Sequence, residues 1–370
     1  MENAKGFKAF DPGLICRGKQ YAENTDYEEA GGKICGEGMM QYCVDPFDTL
    51  NFYALVDGNG KFSDFAEVEA LDKPLSGSAG KFATKKLHIG AKLSFAGFVK
   101  ACIDYTKKQT IVNMPKSVID TGNSAKIGSS GDVAKIGSSG DSAQIGSSGN
   151  YAKIGSSGNY AKIGSSGYSA QIGSSGNYAK IGSSGDAAKI GSSGDSAQIG
   201  SSGDYAKIGS SGYSAQIGSS GYYAKIGSSG NYAKIGSSGD SAQIGSSGDA
   251  AKIGSSGDYA QIGSSGDVAK IGSSGDYAKI GSSGNYAKIG SSGDSAKIDS
   301  TGVGSVICCA GHDCAVKAKI GSWITLTEWE YSEEKGRFVP RCVKTEYVDG
   351  EKIKADTWYR LQNGEFVEVE

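Results

Sequence analysis

The sequence predicts a mainly β fold: a parallel β-solenoid with a small α+β domain at its N-terminal end and a β cap at its C-terminal end. Three observations predict it. Of 370 residues, 59 are Gly and only 5 are Pro, so glycine runs at more than twice its usual ~7%. The excess is concentrated in residues 123–302, which divide into twenty consecutive nonapeptides of the kind Asp-Tyr-Ala-Lys-Ile-Gly-Ser-Ser-Gly, as in Asp204 to Gly212. In every unit the third residue is Ala and the fifth is Ile, the period-2 pattern of a short strand with one buried face.

Residues 1–110 have ordinary globular composition and hold most of the Phe. Asp45-Pro46 ahead of FDTLNFYALV marks a helix start. Phe65 to Ala70 and Leu87 to Leu93 read as strands, and Leu93 to Lys108 as a helix leading into the array. Together these make one small α+β domain, expected to cap the solenoid.

Residues 111–316 form the solenoid. In each unit Ala and Ile point inward, while Tyr/Ser and Lys/Gln point to solvent. The Gly-Ser-Ser-Gly run and the following Asp or Asn supply the turn, Gly by tolerating positive φ and Asp/Asn by bonding their own backbone. A helix is excluded, because two glycines in nine residues each cost about 0.8–1 kcal/mol relative to Ala. A flexible linker has no need of Ala and Ile held in register. One unit cannot bury its apolar pair alone, so units stack.

Two units per coil, 18 residues, give a flattened two-sheet roll, whose narrow slot Ala and Ile can fill at normal packing density. Three units, 27 residues, give a triangular coil, the alternative. Gln144, Gln171 and Gln198 recur at that longer spacing, but Gln216 and Gln243 break its phase. The register runs on beyond the array: Ile307 and Val316 fall at Ile places and Cys314 at an Ala place. The turns at Val118 to Gly122 and Ile298 to Gly302 depart from the repeat, as the ends of a solenoid require.

Residues 317–370 hold all three Trp (Trp323, Trp329, Trp358). Ser322 to Trp329 and Val343 to Val348 read as strands, with a turn at Val348-Asp349-Gly350 and a last hairpin around Asn363-Gly364. A β-hairpin-rich cap is expected.

The array offers the main candidate binding surface. Tyr stands second in nine units, at Tyr151, Tyr160, Tyr178, Tyr205, Tyr223, Tyr232, Tyr259, Tyr277 and Tyr286, beside lysines such as Lys153, Lys207, Lys225 and Lys279. Stacked at strand spacing these form aromatic ladders beside Lys columns, a surface suited to a protein partner. Charge disfavours nucleic acid. Lys+Arg against Asp+Glu is 14 to 15 in residues 1–110, 15 to 14 in 111–316 and 9 to 11 in 317–370. A basic groove has no source in those numbers.

No metal or other cofactor is expected. Calcium-binding nonapeptides place their Asp two residues beyond the last Gly, whereas here it follows Gly directly and is replaced at Tyr168, Tyr213 and Tyr222. Cys308, Cys309, His312 and Cys314 fit no common zinc spacing. The eight cysteines form no Cys-x-x-Cys pair. The start MENAKGFKAFDPG lacks a signal-peptide core, and no stretch has the ~18 apolar residues that span a bilayer. A soluble protein of a bacterial cytoplasm with reduced thiols is expected, without membrane contact.

The segments KGFKAFDPGLICRGKQY (Lys5 to Tyr21), GEGMMQYCVDPFDTLNFY (Gly36 to Tyr53) and FAEVEA (Phe65 to Ala70) resemble the N-terminal domain of an uncharacterised family of phage and prophage proteins. In that family the domain is similarly followed by nonapeptide arrays and by an end resembling GSWITLTEWE and KIKADTWYRLQNGEFVEVE. The resemblance implies a phage-encoded product acting inside a bacterium and implies no activity.

The leading expectation is therefore a non-catalytic scaffold presenting its Tyr/Lys surface or its terminal domain to a bacterial or phage protein, as in the inhibition of a host enzyme or defence complex. The alternative is enzymatic. Arg17-Gly18, the aromatics Tyr42 and Tyr53, and Glu67-x-Glu69 follow an order that resembles ADP-ribosyltransferase-like domains. The likeness implies Arg17 contacting NAD and Glu67 or Glu69 stabilising an oxocarbenium-like transition state, with the solenoid as spacer. No Ser-His-Asp pattern or P-loop is present.

Overall fold

Alternation of apolar and polar residues in the first hundred residues builds antiparallel strands, and the nonapeptides build parallel ones. The computed structural model describes residues 4–31, 38–57, 61–77, 80–109 and 117–369; Cys35 and residues 36–37 lie outside these. The chain divides into two units, residues 1–190 with 198–202 and residues 191–197 with 203–370.

In the first unit the N-terminal strands are β1 (Ala4–Phe10), β2 (Ile15–Cys16), β3 (Lys19–Gln20), β4 (Thr25–Glu28), β5 (Met40–Cys43), β6 (Asp64–Ala70), β7 (Leu75–Ser76), β8 (Lys81–Thr84) and β9 (Lys86–Leu93). Strands β2 and β3 form a small hairpin, and the others form one sheet in the order β4-β9-β6-β1-β5-β8-β7. Both faces of this sheet are covered. Phe10, Tyr42, Val68, Leu87 and Ile89 fill one core, and Ala9, Phe65, Phe47, Leu50, Phe98 and Cys102 fill the other.

Asp45 caps a helix as its sequence requires, its Oδ1 accepting from the Phe47 N–H at 2.9 Å. The helix is a single 3-10 segment, Pro46–Asn51, shorter than FDTLNFYALV suggests. Phe47 and Leu50, three apart, already occupy the core, and Phe52 turns to solvent. The second helix, α1 (Phe95–Gln109), starts where Ser94 Oγ accepts from the Gly97 N–H at 3.1 Å.

The nonapeptides form a parallel β-solenoid of about twelve turns with 18 residues per turn. Each four-residue strand, Lys/Gln-Ile-Gly-Ser, pairs with the strand 18 residues on, so that Ile136 lies beside Ile154 in one sheet and Ile145 beside Ile163 in the other. The 27-residue coil is thereby excluded. We call the sheet that begins with Ser117–Asp120 the first and the one that begins with Lys126–Ser129 the second.

Ala and Ile face inward as expected, from Ala143 and Ile145 to Ala296 and Ile298. Burying each Ile contributes about 1.5–3 kcal/mol. A third inward column is new: the first Ser of each Gly-Ser-Ser-Gly continues the alternation, and Ser147, Ser165 and Ser183 are fully buried. Serine here is a strand residue rather than a turn residue, small enough for the slot.

Two expectations about the turn are corrected. The Asp or Asn side chain bonds the backbone of the next coil rather than its own: Asp141 Oδ1 accepts from Asn159 N–H at 2.8 Å, and Asn159 Oδ1 from Asn177 N–H at 2.9 Å. Positive φ falls on the second residue of many units, as at Tyr160 (57°) and Val268 (58°), and on no glycine of the array. That residue is the third of a four-residue turn that starts at the preceding Gly, the place where a type II turn needs the left-handed region.

In the second unit the solenoid ends by converting parallel edges into hairpins. Val306–Cys309 pairs with Trp323–Ser332 in parallel, and Arg337–Tyr347 then returns antiparallel. Ala315–Ala318 pairs with Trp358–Gln362, and Glu365–Val369 closes that hairpin. Ile307 and Val316 lie beside Ile289 and Ile298, and Cys314 is buried, all in the predicted register.

Candidate binding surfaces and cleft

The fourth, sixth and eighth residues of each unit share the outer face of a sheet, giving parallel columns of Lys/Gln, Gly and Ser. In the first unit α1 lies on the Gly column of the second sheet. A Cβ placed on Gly200 would meet Phe95, on Gly182 Val99 and Phe95, on Gly164 Val99 and Ile103, and on Gly146 Ile103 and Thr106. The helix thus lays about one apolar side chain over each coil. Four helical residues rise roughly 6 Å, close to the strand spacing of about 4.8 Å. Absence of side chains at the sixth place lets the helix come down onto the sheet. Its other side joins the domain core, where Phe98 stacks on Phe65 at 3.7 Å.

The Lys/Gln column beside this stripe holds the rest of the domain. Lys126 pairs with Asp45 at 3.1 Å, and Lys162 donates to the Phe47 carbonyl at 3.0 Å and faces Asp48 at 3.6 Å. Lys180 donates to the Leu50 carbonyl, and Gln198 Oε1 accepts from the Leu55 N–H at 2.9 Å. Burial lowers the Lys162 pKa and brings Lys180 down to about 8, with the nearby Lys162 charge acting in the same direction.

In the second unit the corresponding stripe of the first sheet is open. Gly227, Gly245, Gly263 and Gly281 floor a groove of about 650 Å³, with Ser247, Ser265 and Ser283 along it. A Cβ on Gly227 or Gly245 would meet nothing within 4 Å. Asp299 takes the glycine place in the last unit and pairs with Lys317 at 2.9 Å, ending the groove. Lys225 and Lys279 are exposed beside it.

The Tyr/Lys surface separates into two parts. Lys153, Lys207, Lys225 and Lys279 all stand on first-sheet strands and face solvent. The tyrosines stand in the turns. Tyr151, Tyr205, Tyr223, Tyr259 and Tyr277 precede first-sheet strands, and Tyr160, Tyr178, Tyr232 and Tyr286 precede second-sheet strands. Stacked ladders are limited to pairs, Tyr160 with Tyr178 at 5.1 Å, Tyr205 with Tyr223 at 5.5 Å and Tyr259 with Tyr277 at 5.0 Å, to which Tyr222 adds an edge contact on Tyr223 at 4.4 Å and Tyr213 a tilted one on Tyr232 at 5.2 Å. Ser, Ala or Val at intervening units interrupts longer stacks.

The N-terminal domain holds a cleft of about 380 Å³ between β1, β5 and the 3-10 helix. Strands β1 and β5 pair only at Phe7 and Cys43, which leaves a gap. Lys8 forms its floor, its ammonium donating to the Gln41 carbonyl at 2.9 Å. Burial lowers the Lys8 pKa, and burial likewise raises the Cys43 thiol to about 12. Tyr53 donates to Cys16 Sγ at 3.0 Å, and Arg17, Asn51, Phe52 and Lys81 stand around the mouth.

Arg17 is thus in a cleft, but Glu67 and Glu69 do not line it. Ala66, Val68 and Ala70 turn to the core beside Phe10, which leaves the two glutamates on the other face of β6. The structure does not bring Arg17 together with either. The cysteine cluster keeps one contact, a hydrogen bond between the Cys309 and Cys314 thiols. Cys309 and Cys314 are buried, Cys308 is exposed, and the His312 ring packs on Phe338 at 4.4 Å. Among the described residues no group of three or more His, Cys, Asp or Glu is placed to hold a metal ion. No helix among them is long and apolar enough to cross a membrane.

Fold and surfaces together define a parallel β-solenoid protein with an appended α+β domain. Residues 4–101 match the family model described as "Domain of unknown function (DUF7666)". No curated protein and no solved structure matches the chain.

Proposed function

We propose that this protein is a non-catalytic binding scaffold whose solenoid holds a helical segment of a partner protein on its glycine stripe. One observation carries the reading: the chain's own helix α1 is seated on such a stripe, with Phe95, Val99 and Ile103 over successive coils. Its neighbours are anchored by the adjacent Lys column. The open groove from Gly227 to Gly281 repeats that surface in sequence and register. It suits a helix with apolar residues at i, i+4 and i+8 and with carboxylates toward Lys225 and Lys279. The tyrosine pairs at the turns add aromatic contact area at its margin. The partner is a bacterial or phage protein, the setting that the N-terminal resemblance implies, and occupying a host enzyme's helix in this way would inhibit it.

Leucine at the groove floor tests the reading. Gly245→Leu with Gly263→Leu fills the groove from open space, so the circular dichroism of the solenoid is expected to stay unchanged. Tagged wild-type and variant chains expressed in a bacterial cytoplasm are then compared for co-purifying protein. A partner held by the wild type and lost from the variant supports the groove. A partner held equally by both moves binding to the domain or the cap.

A further inference from the structure

The cleft of the N-terminal domain is separate from the glycine stripe and carries charge that the scaffold reading leaves unused. Three cations line it, Lys8, Arg17 and Lys81, and no carboxylate is among the described residues that do. Asp48, close by in the 3-10 helix, faces Lys162 instead. Lys8 is only 6% exposed. A buried ammonium of this kind is costly unless an anion or several acceptors meet it; here it meets the Gln41 carbonyl, the Cys16 thiol and the faces of Phe10 and Tyr21 at 5.4 and 5.8 Å, and no carboxylate among the described residues.

The mouth has a different character. Phe52 is 42% exposed, and the Lys81 ammonium sits 3.7 Å from its ring centroid. Tyr53 and Phe7 continue the aromatic wall, and Asn51 adds an amide. The loop that delivers Cys16 and Arg17 is held from beneath. Asp64 Oδ2 accepts from the N–H groups of Gly13 at 2.7 Å and Leu14 at 2.9 Å. Leu14 and Arg17 both adopt left-handed φ, 58° and 53°, as the turns of the array also do, a conformation that clusters at functional sites.

From these features we infer that the cleft binds a small phosphorylated, ring-bearing anion of the nucleotide class. Its phosphate groups meet Lys8 on the floor and Arg17 and Lys81 at the rim, and its ring lies against Phe52. Guanidinium and ammonium groups recognise phosphate oxygens by charge-assisted hydrogen bonds. The volume is within the range of small-ligand sites.

ADP is the probe, titrated calorimetrically into the full chain alongside pyrophosphate and adenosine. One ADP per chain is expected, with pyrophosphate and adenosine each binding about tenfold more weakly or less. Arg17→Gln and Lys81→Gln, both at the rim, are each expected to weaken ADP by about tenfold, the worth of one charge-assisted hydrogen bond. No heat with millimolar ADP overturns the inference, as does ADP binding that is unchanged in both variants. Pyrophosphate binding as tightly as ADP would remove the ring from the assignment and overturn it in the form stated.

Discussion

Glycine does two different jobs in one nonapeptide, and the jobs predict opposite mutational signs. At the ninth place the turn of one coil rests on the turn before it. A Cβ on Gly149 would stand 2.0 Å from the Gly131 carbonyl oxygen, and one on Gly266 would stand 2.1 Å from that of Gly248. Backbone against backbone has no rotamer to yield. Gly149→Ala is therefore expected to destabilise by at least the ~1–3 kcal/mol of an overpacked core. At the sixth place of the open stripe nothing opposes a side chain, so Gly245→Ala should stabilise by about 0.5–1 kcal/mol, because Gly loses more conformational freedom on folding. Urea midpoints of the two variants check the pair, and equal signs would refute it. The array thus keeps glycine at a stability cost at sixth places where no helix sits, on both sheets, as at Gly155, Gly209, Gly254 and Gly290 as well as in the groove.

At the level of elements, α1 and the Lys column act together, and the column titrates. Lys180 is lowered to about 8 in the fold from an ordinary value of 10.5, chiefly by burial. Between those values Lys180 is protonated more in the unfolded chain than in the folded one, so its contribution to stability rises with pH across that window. Below about pH 8 the buried ammonium is retained in both states and its cost is paid in full. The Cys43 thiol, raised to about 12, titrates over part of the same window with the opposite sign, so the check is a difference: the urea midpoint of the wild type relative to Lys180→Met is expected to rise from pH 8 toward pH 10.5. A difference that falls over that range would contradict the burial of Lys180.

The helix itself was legible in the sequence from Leu93 to Lys108 within two residues, and β6 and β9 likewise. Its seat was not. Nothing local to α1 or to a nonapeptide says that Val99 meets Gly164 and Gly182, because the match arises from two spacings, helix rise and strand separation, that belong to different parts of the chain. Lys162 read as a solvent-facing residue like its repeats, and the domain above it is what buries it. The cleft escaped for a similar reason: Lys8 has the sequence context of an ordinary strand residue, and only the gap between β1 and β5 opens a space above it.

Over the whole molecule, repetition makes sites on the array redundant in a way that sites on the terminal domain are not. The 18-residue coil follows from the inward residues, Ala, Ile and the first Ser, whose volumes suit a two-sheet slot. The same uniformity means that no single coil is indispensable to the groove. Removing residues 240–257 joins Gly239 to Asp258 and leaves every remaining unit nine residues long. Gly209, Gly227, Gly263 and Gly281 then continue the stripe. Stability in stacked repeats is approximately a sum of units and neighbour interfaces. The deletion is expected to keep a cooperative fold, to lower the urea m-value roughly in proportion to the surface removed, and to retain the partner that Gly245→Leu with Gly263→Leu loses. ADP binding should be the same in both, because Lys8, Arg17 and Lys81 belong to the other unit. Loss of the partner on deleting one coil would instead mean recognition of a unique feature within residues 240–257, such as the Ser241 or Ala250 that there replace Tyr, and would move the binding surface from the glycine stripe to the turns.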